Sequence, residues 1–210
     1  MIRAVISDFG GVLTTPLVRS FMAFQEHSGV TLEELGTAMA KLARDPDGEH
    51  PLFRLERGEI TEPEFISALQ DALGGDVKLE RFGERYFEHL HPNDEMIELM
   101  RELRGRGLRM ALLTNNVREW EPLWRAKLPD IDDIFEVVVD SAFVGMRKPE
   151  PGIYELTLER LGDGVTAADC LFVDDLEANC EMAEQLGMVA VHYRDNEQAK
   201  RDIEAALGDR

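Results

Sequence analysis

Five short apolar runs rich in β-branched residues constrain this chain more than any other feature: Ile2–Ser7, Arg109–Thr114, Phe135–Val139, Cys170–Val173 and Val189–Tyr193. They are apolar at successive positions rather than alternating, as in strands covered on both faces, which is the environment of a parallel sheet. Helical patterns separate the later runs, roughly Val117–Lys127, Gly152–Leu161 and Glu177–Leu186. Each has the length of a crossover between parallel strands, so the chain is expected to be an α/β fold built of βαβ units. Sheets of this kind bind ligands beyond the C-terminal ends of their strands.

The first and second runs lie too far apart for one crossover. Between about Pro16 and Pro92 the sequence shows helical spacing and no convincing strand, which predicts an inserted helical unit over 16–92 and a core formed by 1–15 and 93–210. Within it, helices are expected over Val18–His27, Leu32–Ala43 and Glu62–Leu73, with a loop over Asp45–Pro51. Thr31 with Glu34, and Thr61 with Glu64, have the spacing of the capping box that starts a helix.

With 44% apolar residues, the 210-residue chain can bury a real core. Lys and Arg total 23 against 42 Asp and Glu, a net charge of −19 that repels nucleic acid and anionic membrane surfaces. An anionic substrate would therefore need local positive charge from a metal, a lysine or backbone amides. Cys170 and Cys180 have neither a disulfide framework nor a metal-ligand spacing, and no run approaches the roughly 18 apolar residues that span a bilayer. With no N-terminal targeting pattern, a cytoplasmic location is the expectation.

Four predicted strand ends carry chemistry. Ala4-Val5-Ile6-Ser7-Asp8-Phe9-Gly10-Gly11 ends a strand in a carboxylate followed by glycines that let backbone approach a metal or phosphate. Leu112-Leu113-Thr114-Asn115-Asn116 delivers a hydroxyl and amides that either hold phosphate oxygens or cap a helix. Lys148, before Pro149, sits in an extended loop, either solvated or aimed at the strand ends to offset negative charge. Val173-Asp174-Asp175-Leu176 runs from a buried strand into paired acids, hard oxygen ligands suited to magnesium or favourable charges at a helix start.

In this order, Asp8 to Leu13, Thr114-Asn115, Lys148-Pro149 and Asp174-Asp175 resemble the four motifs of the haloacid dehalogenase-like hydrolase superfamily. The forms Asp-Phe-Gly-Gly-Val-Leu and Val-Asp-Asp-Leu-Glu-Ala-Asn are most similar to the branch containing the N-terminal phosphatase domain of soluble epoxide hydrolase and certain sugar-phosphate phosphatases. The resemblance implies a Rossmann-like, three-layer parallel-sheet core with an inserted α-helical cap. It implies a phosphatase in which Asp8 attacks phosphorus to form an aspartyl-phosphate. Mg2+ would be held by Asp8, the Gly10 carbonyl and Asp175, with Asp174 in support or bound through water. Thr114, Asn115 and Lys148 would hold the phosphoryl group of a small phosphorylated substrate.

Gly10 departs from the family pattern, which usually has a second Asp there as general acid and base. Such a group contributes about 10²- to 10⁴-fold, so a leaving group that departs without much protonation, such as an anomeric sugar oxygen, is favoured. Alternatively, the substrate or the cap supplies the proton. A phosphometabolite-sensing or interaction domain and a 2-haloacid dehalogenase are the rival functions. Retention of Asp8, Lys148 and Asp175 opposes the first, and Gly10 with the paired acids opposes the second. His89 and His91 are expected at the surface, and the helical cap offers apolar faces for a homodimer. Trp120 and Trp124, four apart, are expected on one helix face in core packing or a contact surface.

Overall fold

Parallel pairing puts the first strand at the centre of the sheet. A computed structural model describes residues 1–16, 25, 28–43, 49–75, 77 and 79–208. Five strands, β1 (Ala4–Ser7), β2 (Arg109–Thr114), β3 (Val137–Asp140), β4 (Cys170–Asp174) and β5 (Val189–His192), form one parallel sheet in the order β3-β2-β1-β4-β5. The chain winds outward through β2 and β3, then crosses β1 to continue with β4 and β5. The crevice between β1 and β4 is thus the switch point at which such sheets bind ligands.

Side-chain alternation divides the strands between two cores. Val5, Met110, Leu112, Leu171 and Val173 pack on one face, while Ile6, Ala111, Leu113, Cys170 and Phe172 pack on the other. The described helices are α1 (Leu32–Leu42), α2 (Pro51–Glu56), α3 (Glu62–Leu73), α4 (Phe82–Glu88), α5 (Asp94–Gly105), α6 (Glu121–Arg125), α7 (Ile131–Ile134), α8 (Ser141–Val144), α9 (Pro151–Leu161), α10 (Glu177–Gln185) and α11 (Asn196–Leu207). Apolar residues of α5, α7 and α11 cover the first face, and those of α9 and α10 the second, giving the Rossmann-like three-layer arrangement. Among the described residues, no helix is long and apolar enough to cross a membrane.

Helices α1 to α4 lie between β1 and β2 and share a third apolar cluster, built on Ala38, Leu55, Phe65, Leu69, Leu79 and Phe82. Both capping boxes form: Thr31 N–H donates to Glu34 Oε2 at 2.8 Å, and Thr61 N–H to Glu64 Oε2 at 2.7 Å. The chain leaves and re-enters the core side by side. Thr14 bridges Pro92, and the N–H of Thr15 donates to the His91 carbonyl at 2.8 Å. The side chains of His89 and His91 are exposed.

Several predicted bounds differ from the observed ones. Strand β1 begins at Ala4 rather than Ile2. The run predicted as a strand over Phe135–Val139 is divided, because Phe135 closes α7 by donating its N–H to Ile131, and the strand in register with β2 spans Val137–Asp140. The single helix expected over Val117–Lys127 is a 3-10 turn over Arg118–Trp120 followed by α6, since Pro122 lacks an N–H to continue the ladder and starts a new helix instead. That break parts the two tryptophans. Trp124 is fully buried against Phe9 and donates its indole N–H to Asp140 at 3.2 Å, while half-buried Trp120 packs on Phe82 and Tyr86. The helix expected over Val18–His27, apart from Gln25, and most of the loop expected over Asp45–Pro51 lie outside the described residues.

Candidate active site

Asp8 follows β1 directly and is held in line with β4 by its N–H, which donates to Val173 at 2.9 Å. The residue is 7% exposed, and its carboxylate accepts from Lys148 Nζ at 2.7 Å. The same ammonium donates to Asp174 Oδ2 at 2.6 Å. Lys148 is 1% exposed, a burial an ammonium tolerates only when paired. Burial opposes its charge, but the two carboxylates prevail and hold it above the ordinary lysine range.

Asp174 and Asp175 part company after β4. The second oxygen of Asp174 accepts the Leu176 N–H and the Asn179 side-chain amide, both at 2.9 Å, so both of its oxygens are committed to protein donors. Among the described residues the Asp175 carboxylate has no side-chain donor, and its backbone carbonyl accepts from His192 Nε2 at 3.0 Å. Gly11 makes room for that carboxylate. Its φ is +83°, and a Cβ built there would collide with the Asp175 side chain.

Asp8, Asp174 and Asp175 each offer an oxygen within 4.8 Å of the others. Three carboxylates against one lysine leave an excess of negative charge in a buried place. Burial pushes Asp8 up to about 7, with Lys148 opposing and Asp174 and Asp175 adding to the rise. Asp175 is pushed up to about 6, first by burial and then by Asp174. A hard divalent cation would relieve this repulsion, so the donor set fits magnesium.

Thr114 ends β2 and is 2% exposed, with its hydroxyl unbonded among the described residues. Asn115 is occupied differently from a phosphate ligand. Its side-chain oxygen accepts the Lys148 N–H at 2.8 Å and its side-chain nitrogen donates to the Lys148 carbonyl at 3.0 Å. The amide thus clamps the lysine's backbone, and the Asn115 N–H is the group left for a ligand. Gly10 and Thr114 both line the adjacent cavity, so all seven sequence-predicted site residues gather around the β1, β2 and β4 ends or the Lys148 loop.

Three contributors escaped sequence reasoning. His192 and Asn179 orient the paired acids, and Glu56 of α2 binds Arg147 Nε at 2.5 Å beside Lys148. His192 stands on β5, whose neighbour β4 only the strand order reveals, and Asn179 meets Asp174 five residues back across the turn into α10. Glu56 gave no signal beyond an ordinary helical charge.

A family model described as haloacid dehalogenase-like hydrolase matches residues 2–187. A sesquiterpene phosphatase of Aspergillus oryzae is 29% identical over 98% of this chain and 97% of its own length. Mouse acyl-CoA dehydrogenase family member 10 is 30% identical over 98% of this chain, which spans only 19% of that protein. Among solved structures, a HAD family enzyme of Bacteroides thetaiotaomicron is 25% identical with a TM-score of 0.74, over 97% of this chain and 98% of that one. Its complex with magnesium and inorganic phosphate superposes with a TM-score of 0.71 at 25% identity, over 92% of this chain and 95% of that one.

Proposed function

The chain belongs to the haloacid dehalogenase-like hydrolase family, and from that premise we propose that it is a magnesium-dependent phosphatase acting on a small phosphate monoester through an aspartyl-phosphate. The observation that carries this reading is Lys148 Nζ bridging Asp8 and Asp174 with the Asp175 carboxylate close by. The phosphatase name of the Aspergillus relative and the magnesium and phosphate held by the Bacteroides enzyme support it.

Asp8, Asp175 and the Gly10 carbonyl would hold the magnesium, which when bound neutralises charge on the phosphoryl oxygens. One oxygen of Asp8 attacks phosphorus as the bond to the leaving oxygen breaks, and that oxygen departs with the electron pair. Lys148 and the backbone N–H of Asn115, with the Thr114 hydroxyl, stabilise the charge spreading over the transferred group. Asp174 keeps Lys148 aimed and charged. Water then cleaves the acyl phosphate to release inorganic phosphate and restore the Asp8 carboxylate. Helices α1 to α4, within 16–92, act as the cap over the core of 1–15 and 93–210.

Position 10 offers no carboxylate for proton transfer. Turnover should accordingly rise steeply across aryl phosphates of falling leaving-group pKa. The direct test is magnesium-dependent phosphate release from para-nitrophenyl phosphate, lost in Asp8→Asn. Phosphate binding without release would instead identify a sensing domain, and chloride release from 2-chloropropionate a dehalogenase.

A further inference from the structure

We propose that the organic group of the substrate is a bulky apolar moiety, lodged in the cavity between the helical insertion and the strand ends. This rests on the phosphatase reading for its reaction, though not for its binding site. The cavity encloses about 420 Å³, within the range of small-molecule sites. Phe9, Gly10, Thr114 and Asn115 form its floor, so it opens directly on the place where the phosphoryl group would sit. Its walls come from α1 to α4 and from Val117 and Trp120.

The wall chemistry selects the occupant. Among its described lining residues there is no Lys or Arg, and the one charged side chain, Glu56, is already paired with Arg147. Leu35, Met39, Leu52, Leu55, Phe65 and Leu69 present only carbon or sulfur to the interior. The indole nitrogen of Trp120, packed over Gly83, is the one buried side-chain polar atom without a hydrogen-bond partner among the described residues. A sugar phosphate entering here would strip water from its hydroxyls and find few replacements away from the floor, whereas an alkyl, terpenoid or aryl group would exchange water for carbon contacts.

Chain length can be varied while leaving-group pKa stays nearly constant, using phenyl, 4-ethylphenyl, 4-butylphenyl and 4-hexylphenyl phosphates with magnesium. Each buried methylene should raise kcat/KM about fourfold, so ethyl to butyl gains about 15-fold until the cavity is full. Met39→Gln and Leu35→Gln, both half-buried in the wall, should lower the hexyl-to-phenyl ratio. Alkylphosphonates, which have no ester bond to cleave, provide a calorimetric arm in which affinity should climb by the same factor. A flat series in both arms, or a preference for sugar phosphates, overturns the apolar site even if para-nitrophenyl phosphate is hydrolysed. If no ester is hydrolysed yet phosphonate affinity climbs with length, the cavity assignment stands and the phosphatase reading falls.

Discussion

Replacing Lys148 by methionine keeps most of the side chain's volume and removes its charge from between two buried carboxylates. Lys148 Nζ is 2.7 Å from Asp8 and 2.6 Å from Asp174, and the side chains of the three are only 2%, 10% and 0% exposed. Removing one member of a buried ion pair costs about 3–5 kcal/mol, because the remaining charge is left without compensation. For a chain of this size, about 2–4 °C per kcal/mol turns that into a fall in Tm of about 6–20 °C. The loss should depend on pH in a definite direction. Asp8 at about 7 and Asp175 at about 6 already titrate above their unfolded values of about 4. Groups raised in the folded state favour folding below the unfolded pKa, and that contribution is lost as pH rises through the folded pKa. Without the lysine these folded values move higher still. The Lys148→Met protein should therefore approach the parent's stability near pH 5 and fall furthest behind above pH 7. Magnesium should restore more stability to the variant than to the parent, up to about 2.7 kcal/mol at a hundredfold excess over Kd. Thermal unfolding at pH 5, 6.5 and 8, with and without magnesium, measures all of this. An equal deficit at every pH would refute the charge argument and leave lost packing as the cause.

Gly11→Ala should cost about 1–2 kcal/mol from its left-handed backbone alone and displace Asp175, so denaturant melts should shift and magnesium affinity by calorimetry should weaken. Asn115→Ala removes both bonds to the Lys148 backbone and should cut kcat about 10²-fold by misplacing the ammonium, with little change in magnesium affinity. Arg147→Met leaves Glu56 without its cation and should speed hydrogen exchange in α2 relative to the sheet; unchanged exchange there would mean the pair does not tie the insertion to the core.

The sheet was legible because its strands are buried on both faces, so hydrophobic runs alone marked them. Arg109–Thr114 and Glu62–Leu73 came out with their observed bounds, the latter because a capping box and Pro63 mark its start and Gly74 its end. Phe135 misled because burial in a helix end and burial in a strand look alike in sequence. Trp120 and Trp124 misled because Pro122 interrupts a pattern whose spacing otherwise fits one helix. The acidic and basic site residues were visible at strand ends, but their division of labour was not. Nothing in the order of letters says that Asp174 turns inward to Lys148 and Asn179 while Asp175 stays open, or that Asn115 spends its side chain on the lysine loop. Those are consequences of parallel neighbours brought together across long stretches of chain.

The placement of β1 also bears on how the molecule is made. Ala4, in a strand made well before its neighbours, pairs with Arg109 on one side and Cys170 on the other, both more than a hundred residues downstream. The nascent chain therefore carries Asp8, the proposed nucleophile, long before it has either Lys148 or the paired acids Asp174 and Asp175 that meet it in the folded protein. Contacts of such high sequence separation form slowly and late. During synthesis Ile6, fully buried at the end, is exposed apolar surface, because the helices that cover its face of the sheet, α9 and α10, are made only after β3. On the proposed reading the site is therefore assembled only when β4 docks beside β1, and any truncation short of that strand should yield a chain that is both inactive and prone to aggregate.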